Sequence, residues 1–172
     1  MLSYGMNKII ILRGNIGSGK TTTSQALQRR LGRGTLLIPQ DVVRREMLWV
    51  KDTPNNPAVA LLKHLVDYGH SNCTYTILEG ILYADYYQNL FDHIQKLYGD
   101  QVYAYYLQAP FETTFERQKN RPLHNKFNVE QVRAMWRDND PLPHIKATII
   151  DTLALDTDAV VAKILADLDF HD

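Results

Sequence analysis

Cysteine is all but missing: Cys73 stands alone in 172 residues. That excludes a disulfide framework and any metal site built on paired thiolates. Cys73 itself reads as a packing residue rather than a nucleophile, since no supporting motif surrounds it. Long apolar runs are missing too, and none approaches the roughly 20 residues a membrane span needs. The start, Met1-Leu2-Ser3-Tyr4-Gly5-Met6, is too short and too poorly apolar for a signal peptide, so a cytoplasmic location is expected. Excess charge is absent as well, with 19 basic residues against 19 acidic ones. A neutral total argues against a nucleic-acid surface driven by bulk electrostatics. No internal repeat or low-complexity tail is visible, and the length suits one domain, 1–172, with a sizeable core.

The neutral total conceals an uneven distribution. From Arg117 to Arg137 six basic residues (Arg117, Lys119, Arg121, Lys126, Arg133, Arg137) face one acid, Glu130. From Asp151 onward six aspartates face Lys163 alone. A local basic block of this kind points to a polyanionic ligand nearby.

What such a ligand is follows from residues 14–21, Gly14-Asn15-Ile16-Gly17-Ser18-Gly19-Lys20-Thr21. They match G-x-x-x-x-G-K-[ST], and each fixed position has its own task. Glycines let the backbone curl so that its N–H groups point inward at phosphate oxygens. Lys20 supplies a point charge to the β- and γ-phosphates, and the Thr21 hydroxyl is placed to ligate Mg²⁺. Lys8-Ile9-Ile10-Ile11-Leu12 before the motif reads as a buried parallel strand. Thr21–Leu31 after it reads as a helix, whose N-terminus, Thr22 included, adds partial positive charge to the anion site. The segment is expected to bind ATP with Mg²⁺.

The rest of the chain alternates short apolar runs with amphipathic stretches. Strands are expected at Lys8–Arg13, Thr35–Ile38, Tyr75–Glu79, Val102–Gln108 and Ala147–Asp151. Helices are expected at Thr21–Leu31, Val42–Val50, Pro57–Tyr68, Asp85–Leu97, Phe111–Asn120, Val129–Arg137 and Asp158–Leu168. This pattern gives a three-layer α/β fold, a five-stranded parallel sheet with helices on both faces. Ligands in such sheets sit outside the carboxyl ends of the strands, so chemistry is sought there.

Three such places carry polar residues. After the second strand comes Gln40-Asp41-x-x-Arg44. Asp41 reads either as a helix N-cap or as a carboxylate that accepts the proton of an attacking hydroxyl. Arg44, one turn on, is suited to gripping an anionic part of the acceptor, while Arg45 points elsewhere and is solvated. After the third strand, Glu79 reads as a handler of Mg²⁺, through water, or of a substrate hydroxyl. Gly80 leaves room for a ligand, and Tyr83 is the aromatic residue placed to line an acceptor pocket. Its companions Tyr86, Tyr87, Tyr103, Tyr105 and Tyr106, with Trp136, read as packing residues. After the fourth strand, Arg117 and Arg121 share a helix face. With the loop Pro122–Phe127 and the next helix they form a short lid, about 117–137, whose arginines neutralise a transferring phosphoryl group. His124 in that loop reads as simply exposed.

Gly14–Thr21, Gln40-Asp41-x-x-Arg44, Leu78-Glu79-Gly80 and Arg117…Arg121 together resemble the small P-loop kinases. The AAA_33 or zeta-toxin-like group is nearest, and it is similar to gluconate kinase and chloramphenicol phosphotransferase. The resemblance implies that Asp41 assists an acceptor hydroxyl and that the lid arginines hold ATP phosphates. The loop after Arg121 is too short for the large lid of long adenylate kinases. The expectation is a P-loop kinase acting on a small hydroxyl-bearing molecule, without nucleic acid or membrane and with its oligomeric state open. A nucleoside or nucleotide kinase, a zeta-like kinase of UDP-linked sugars and a non-catalytic nucleotide-binding module are the alternatives.

Overall fold

In the computed structural model, residues 6–122 and 126–170 are described. The elements run β1 Lys8–Arg13, α1 Lys20–Leu31, β2 Leu36–Pro39, α2 Gln40–Val42, α3 Ala58–Asn72, β3 Tyr75–Gly80, α4 Gln88–Tyr98, β4 Val102–Gln108, α5 Phe111–Lys119, α6 Val129–Met135, β5 Ala147–Asp151 and α7 Thr157–Asp167. The five strands are all parallel, in the order β2-β3-β1-β4-β5. The strand nearest the phosphate motif is central because its residues are apolar on both faces. Ile9 and Ile11 point into a core under α3 and α4, while Ile10 and Leu12 point into one shared with α7. All four are fully buried, each contributing roughly 1.5–3 kcal/mol of burial.

Register decides what meets at the carboxyl edge. Arg13 pairs with Gly80 and Pro39 with Glu79. Gly14, Glu79-Gly80 and Gln40-Asp41 therefore emerge side by side. Gly80 has a packing reason to be glycine: a Cβ there would lie 2.9 Å from the Cβ of Gln40.

The second crossover differs from the expected helix over Val42–Val50. One α-turn at Gln40–Val42 widens into a π-helical turn at Val43–Met47, closed by Leu48 N–H donating to the Val43 carbonyl. Trp49 then adopts a left-handed backbone (φ 53°), and Val50 N–H bonds the Arg44 carbonyl. The chain is thus folded back on Arg44 instead of continuing outward. Two helices also end or begin within a turn of their expected bounds. α4 starts at Gln88, after Tyr87, and α6 stops at Met135, leaving Arg137 beyond its end.

Candidate active site

Gly17 takes a left-handed conformation (φ 74°), and a Cβ there would overlap the carbonyl of Thr114. That close approach seats α5 against the phosphate loop. α1 begins at Lys20 with no side-chain cap, so its first N–H groups remain available to an anion. Lys20 lies folded back on its own loop, donating to the Asn15 carbonyl at 2.8 Å and to Ser18 Oγ at 3.4 Å. Burial pushes the Lys20 ammonium down to about 8, against the opposing pull of Glu79 and Asp41 and with help from Arg121.

Glu79 is 5 % exposed, and Thr21 Oγ1 donates to its Oε1 at 3.3 Å. Burial raises the Glu79 carboxyl, with Lys20 and the Thr21 bond working the other way. A buried carboxylate beside a hydroxyl, with a lysine charge near, suits a hard divalent cation that brings phosphate and water ligands of its own. Among the described residues no cluster of three or more His, Cys, Asp or Glu exists that would hold a metal without such help.

Arg117 reaches the loop from α5, donating to the Thr152 hydroxyl at 3.1 Å, the Thr152 carbonyl at 2.8 Å and the Gly17 carbonyl at 3.5 Å. Arg121 lies past the end of α5 rather than on it, yet its charge acts on both Lys20 and Glu79. His124, with the tip of the expected lid, lies outside the described residues.

Asp41 follows β2, with β3 alone between it and the strand that leads into the phosphate loop; its side chain is half exposed, and its charge is felt at Lys20 and Glu79. It is not an N-cap: Pro39 occupies that position and makes no side-chain cap bond. Instead Asp41 accepts from Arg44 Nη2 at 2.7 Å and from Arg45 Nη1 at 3.1 Å. Arg45 is therefore paired rather than solvated, which corrects the reading of it as pointing elsewhere. Arg44 is tied three ways, to Asp41, to the Val50 carbonyl at 3.0 Å and toward Asp52 at 3.9 Å.

Tyr83 is buried, donates to the Met135 carbonyl at 2.8 Å and carries the Arg137 guanidinium on its face, 4.1 Å from the ring centre. Burial pushes its phenol up to about 12. Trp136 is half-buried and not core; it rests edge-on against Phe111 and donates to Asp138. Arg137 is not a free lid arginine, because it pairs with Asp85 at 2.7 Å and Asp140 at 3.1 Å.

Arg13, Asp52 and Asp140 escaped the sequence reading, as did the tertiary contacts of Asn15 and Gln40. Asn15 exchanges two hydrogen bonds with the backbone of Arg137, at 2.7 and 3.0 Å. Arg13, fully buried, pairs with Asp140 and donates to the Leu82 carbonyl at 3.0 Å. These bonds staple the segment after α6 to the phosphate loop. Asp52 accepts from Tyr87 at 2.7 Å, and Gln40 donates to the same phenol at 2.6 Å. A charged residue ending an apolar strand was the available sign for Arg13. Nothing local marked Asp52, which lies in an ordinary polar loop.

The same fold occurs in a gluconokinase from Sinorhizobium meliloti 1021 (TM-score 0.68, 15 % identity, 95 % of this chain and 93 % of that one). It also occurs in the tunicamycin resistance protein of Deinococcus radiodurans (0.66, 21 %, 96 % and 97 %). The Mycobacterium tuberculosis APS kinase CysC, solved with AMPPNP and APS, is a third (0.65, 17 %, 95 % and 98 %). No curated protein matches the sequence significantly. A family model does, over residues 9–142, from the first core strand through the phosphate loop to the segment stapled behind it, and by that match the chain belongs to the AAA_33 family, described as an AAA domain.

Proposed function

We propose that the protein is an ATP- and Mg²⁺-dependent phosphotransferase that moves the γ-phosphate to a hydroxyl of a small molecule. The observation that carries this reading is the placement of Asp41. A carboxylate stands at the carboxyl edge of the sheet, one strand from the one that leads into the phosphate loop, with its charge felt at Lys20 and Glu79, and is held by two guanidinium groups. A switch or a simple nucleotide-binding module needs no such group. The likeness of the fold to a gluconokinase and an APS kinase supports the same reading.

Gly14, Asn15, Ile16, Gly17, Ser18 and Gly19 supply the backbone cradle, with Lys20, Thr21 and Thr22 at the start of α1. On arrival of a triphosphate, Lys20 leaves the Asn15 carbonyl for the phosphates. Arg117 and Arg121 bring further positive charge to the oxygens that carry the developing negative charge. Thr21 and Glu79 would hold the Mg²⁺, which when bound neutralises phosphate charge. Asp41 takes the proton of the acceptor hydroxyl as its oxygen closes on the γ-phosphorus. Arg44 and Arg45 fix the aim of Asp41, while Gly80 and Tyr83 wall the space beside it. Positioning and charge carry most of the rate in such transfers.

The test is γ-³²P transfer from Mg·ATP to a pooled panel of nucleosides, sugars, UDP-sugars and amphenicol- or aminoglycoside-type alcohols. A labelled organic product that disappears in Lys20→Ala is the expected result. Release of phosphate to water alone, with every acceptor unlabelled, would favour the non-catalytic module. No helix among the described residues is long and apolar enough to cross a membrane.

A further inference from the structure

The charges around the site are compensated unequally. On the donor side, Lys20 and Arg117 bond only neutral oxygens, and Arg121 has no carboxylate within 4 Å among the described residues. These cations are open to a polyphosphate. On the acceptor side every arginine is already taken. Arg44 pairs with Asp41 and faces Asp52, Arg45 pairs with Asp41, and Arg137 pairs with Asp85 and Asp140.

Resting on the phosphotransfer reading, we infer that the acceptor is an uncharged or cationic hydroxyl compound, that Asp52 receives it beside Asp41, and that Arg44 is a positioning residue rather than an anion hook. Asp52 is a built feature. Its Oδ1 is fixed by the hydroxyl of Tyr87 at 2.7 Å, and Tyr87 is fully buried. That phenol accepts in turn from Gln40 at 2.6 Å and from Asn56 at 3.4 Å, both side chains buried. A donor relay of this length aims one carboxylate oxygen and leaves the other, Oδ2, with only Arg44 Nε at 3.9 Å, beyond hydrogen-bond range. Oδ2 keeps its lone pairs for a hydroxyl or ammonium donor, and 19 % of the side chain is exposed. Burial raises the Asp52 carboxyl, and Tyr87 and Arg44 hold it down.

Arg44 is already committed to this chain's own groups by contrast. Its side chain is 15 % exposed, one Nη bonds Asp41, the other bonds the Val50 carbonyl, and Nε is buried without a hydrogen-bond partner. An anionic acceptor would have to compete with Asp41 for this guanidinium and meet the charges of two aspartates as well. A hydroxyl or ammonium group has neither obstacle.

Two measurements decide it. The first is the ¹⁵Nε–H signal of Arg44, assigned by its loss in Arg44→Lys, titrated with inorganic phosphate while Mg·AMPPNP fills the phosphate loop. In the wild type it is expected to stay put, and in Asp41→Asn/Asp52→Asn to shift with saturation. A saturable shift in the wild type overturns the inference. The second compares matched alcohol, amine and carboxylate forms of an acceptor scaffold in the transfer assay. Asp52→Asn is expected to raise acceptor KM by about tenfold or more, the size of a lost bond to a charged group, with KM for ATP unchanged. Preferred labelling of the carboxylate form, or a fall in kcat with acceptor KM intact, overturns the role given to Asp52. If no form is labelled, the phosphotransfer reading falls, and the Arg44 titration still decides the charge of the site.

Discussion

Lys20 offers a direct check on how the free site is poised. Burial pushes its ammonium down to about 8 from the usual 10.5, even though the carbonyl of its own loop accepts a hydrogen bond from it. A triphosphate surrounds the same nitrogen with negative oxygens and holds it fully charged. Binding must then take up the proton that the free protein lacks. At pH 8 that is about half a proton per nucleotide, and at pH 7 about a tenth, from the titration of one group with a pKa of about 8. Calorimetry of Mg·ATP binding in buffers of different ionisation enthalpy reads this number directly. The titration of ¹³Cε-lysine signals in the free protein identifies its source, since one resonance should move near pH 8 and vanish in Lys20→Arg. Uptake of no protons at pH 8, with every lysine titrating above 10, would refute the burial argument.

Other consequences follow from the same geometry. Lys20→Met should abolish nucleotide binding yet stabilise the free protein at neutral pH by on the order of 1–3 kcal/mol, seen as a higher Tm. The sign is fixed by the depressed pKa: between 8 and 10.5 the unfolded chain binds more protons, so the lysine's penalty fades as pH rises through that window. Asp140→Ala leaves the buried Arg13 guanidinium without its carboxylate and should cost roughly 3–5 kcal/mol in urea denaturation; a loss below 1 kcal/mol would mean Arg13 finds another partner. Arg117→Gln should raise KM for ATP about tenfold or more, from a lost charge-assisted bond to phosphate, and an unchanged value would remove Arg117 from the donor site.

The fold was largely legible because its strongest signals are local. An apolar run on both faces of β1, followed by glycines and an amphipathic helix, allows one arrangement, and the β4 and β5 runs fall on the observed strands. Lys20, Thr21 and Glu79 were legible for the same reason, since the motif opens α1 with the first two and strand register brings Glu79 to the same edge. The acceptor side was not. Arg44 and Arg45 belong to a turn whose π-helical closure and left-handed Trp49 no periodicity announces. That closure brings Asp52 back over Arg44, which turns an expected anion hook into the middle of two carboxylates. Arg137 was misread because α6 ends two residues sooner than its pattern, so its side chain meets Asp85 and Asp140 instead of the lid. Long-range ion pairs of this sort depend on which loops the fold brings together.

The most direct test of phosphotransfer through Asp41 is to measure Mg·ATP affinity and acceptor phosphorylation side by side in the wild type and in Asp41→Asn. Nearly equal affinity is expected, with a kcat lower by about 10²–10⁴, the range for losing a general base. Equal turnover in the two proteins would contradict phosphotransfer through Asp41.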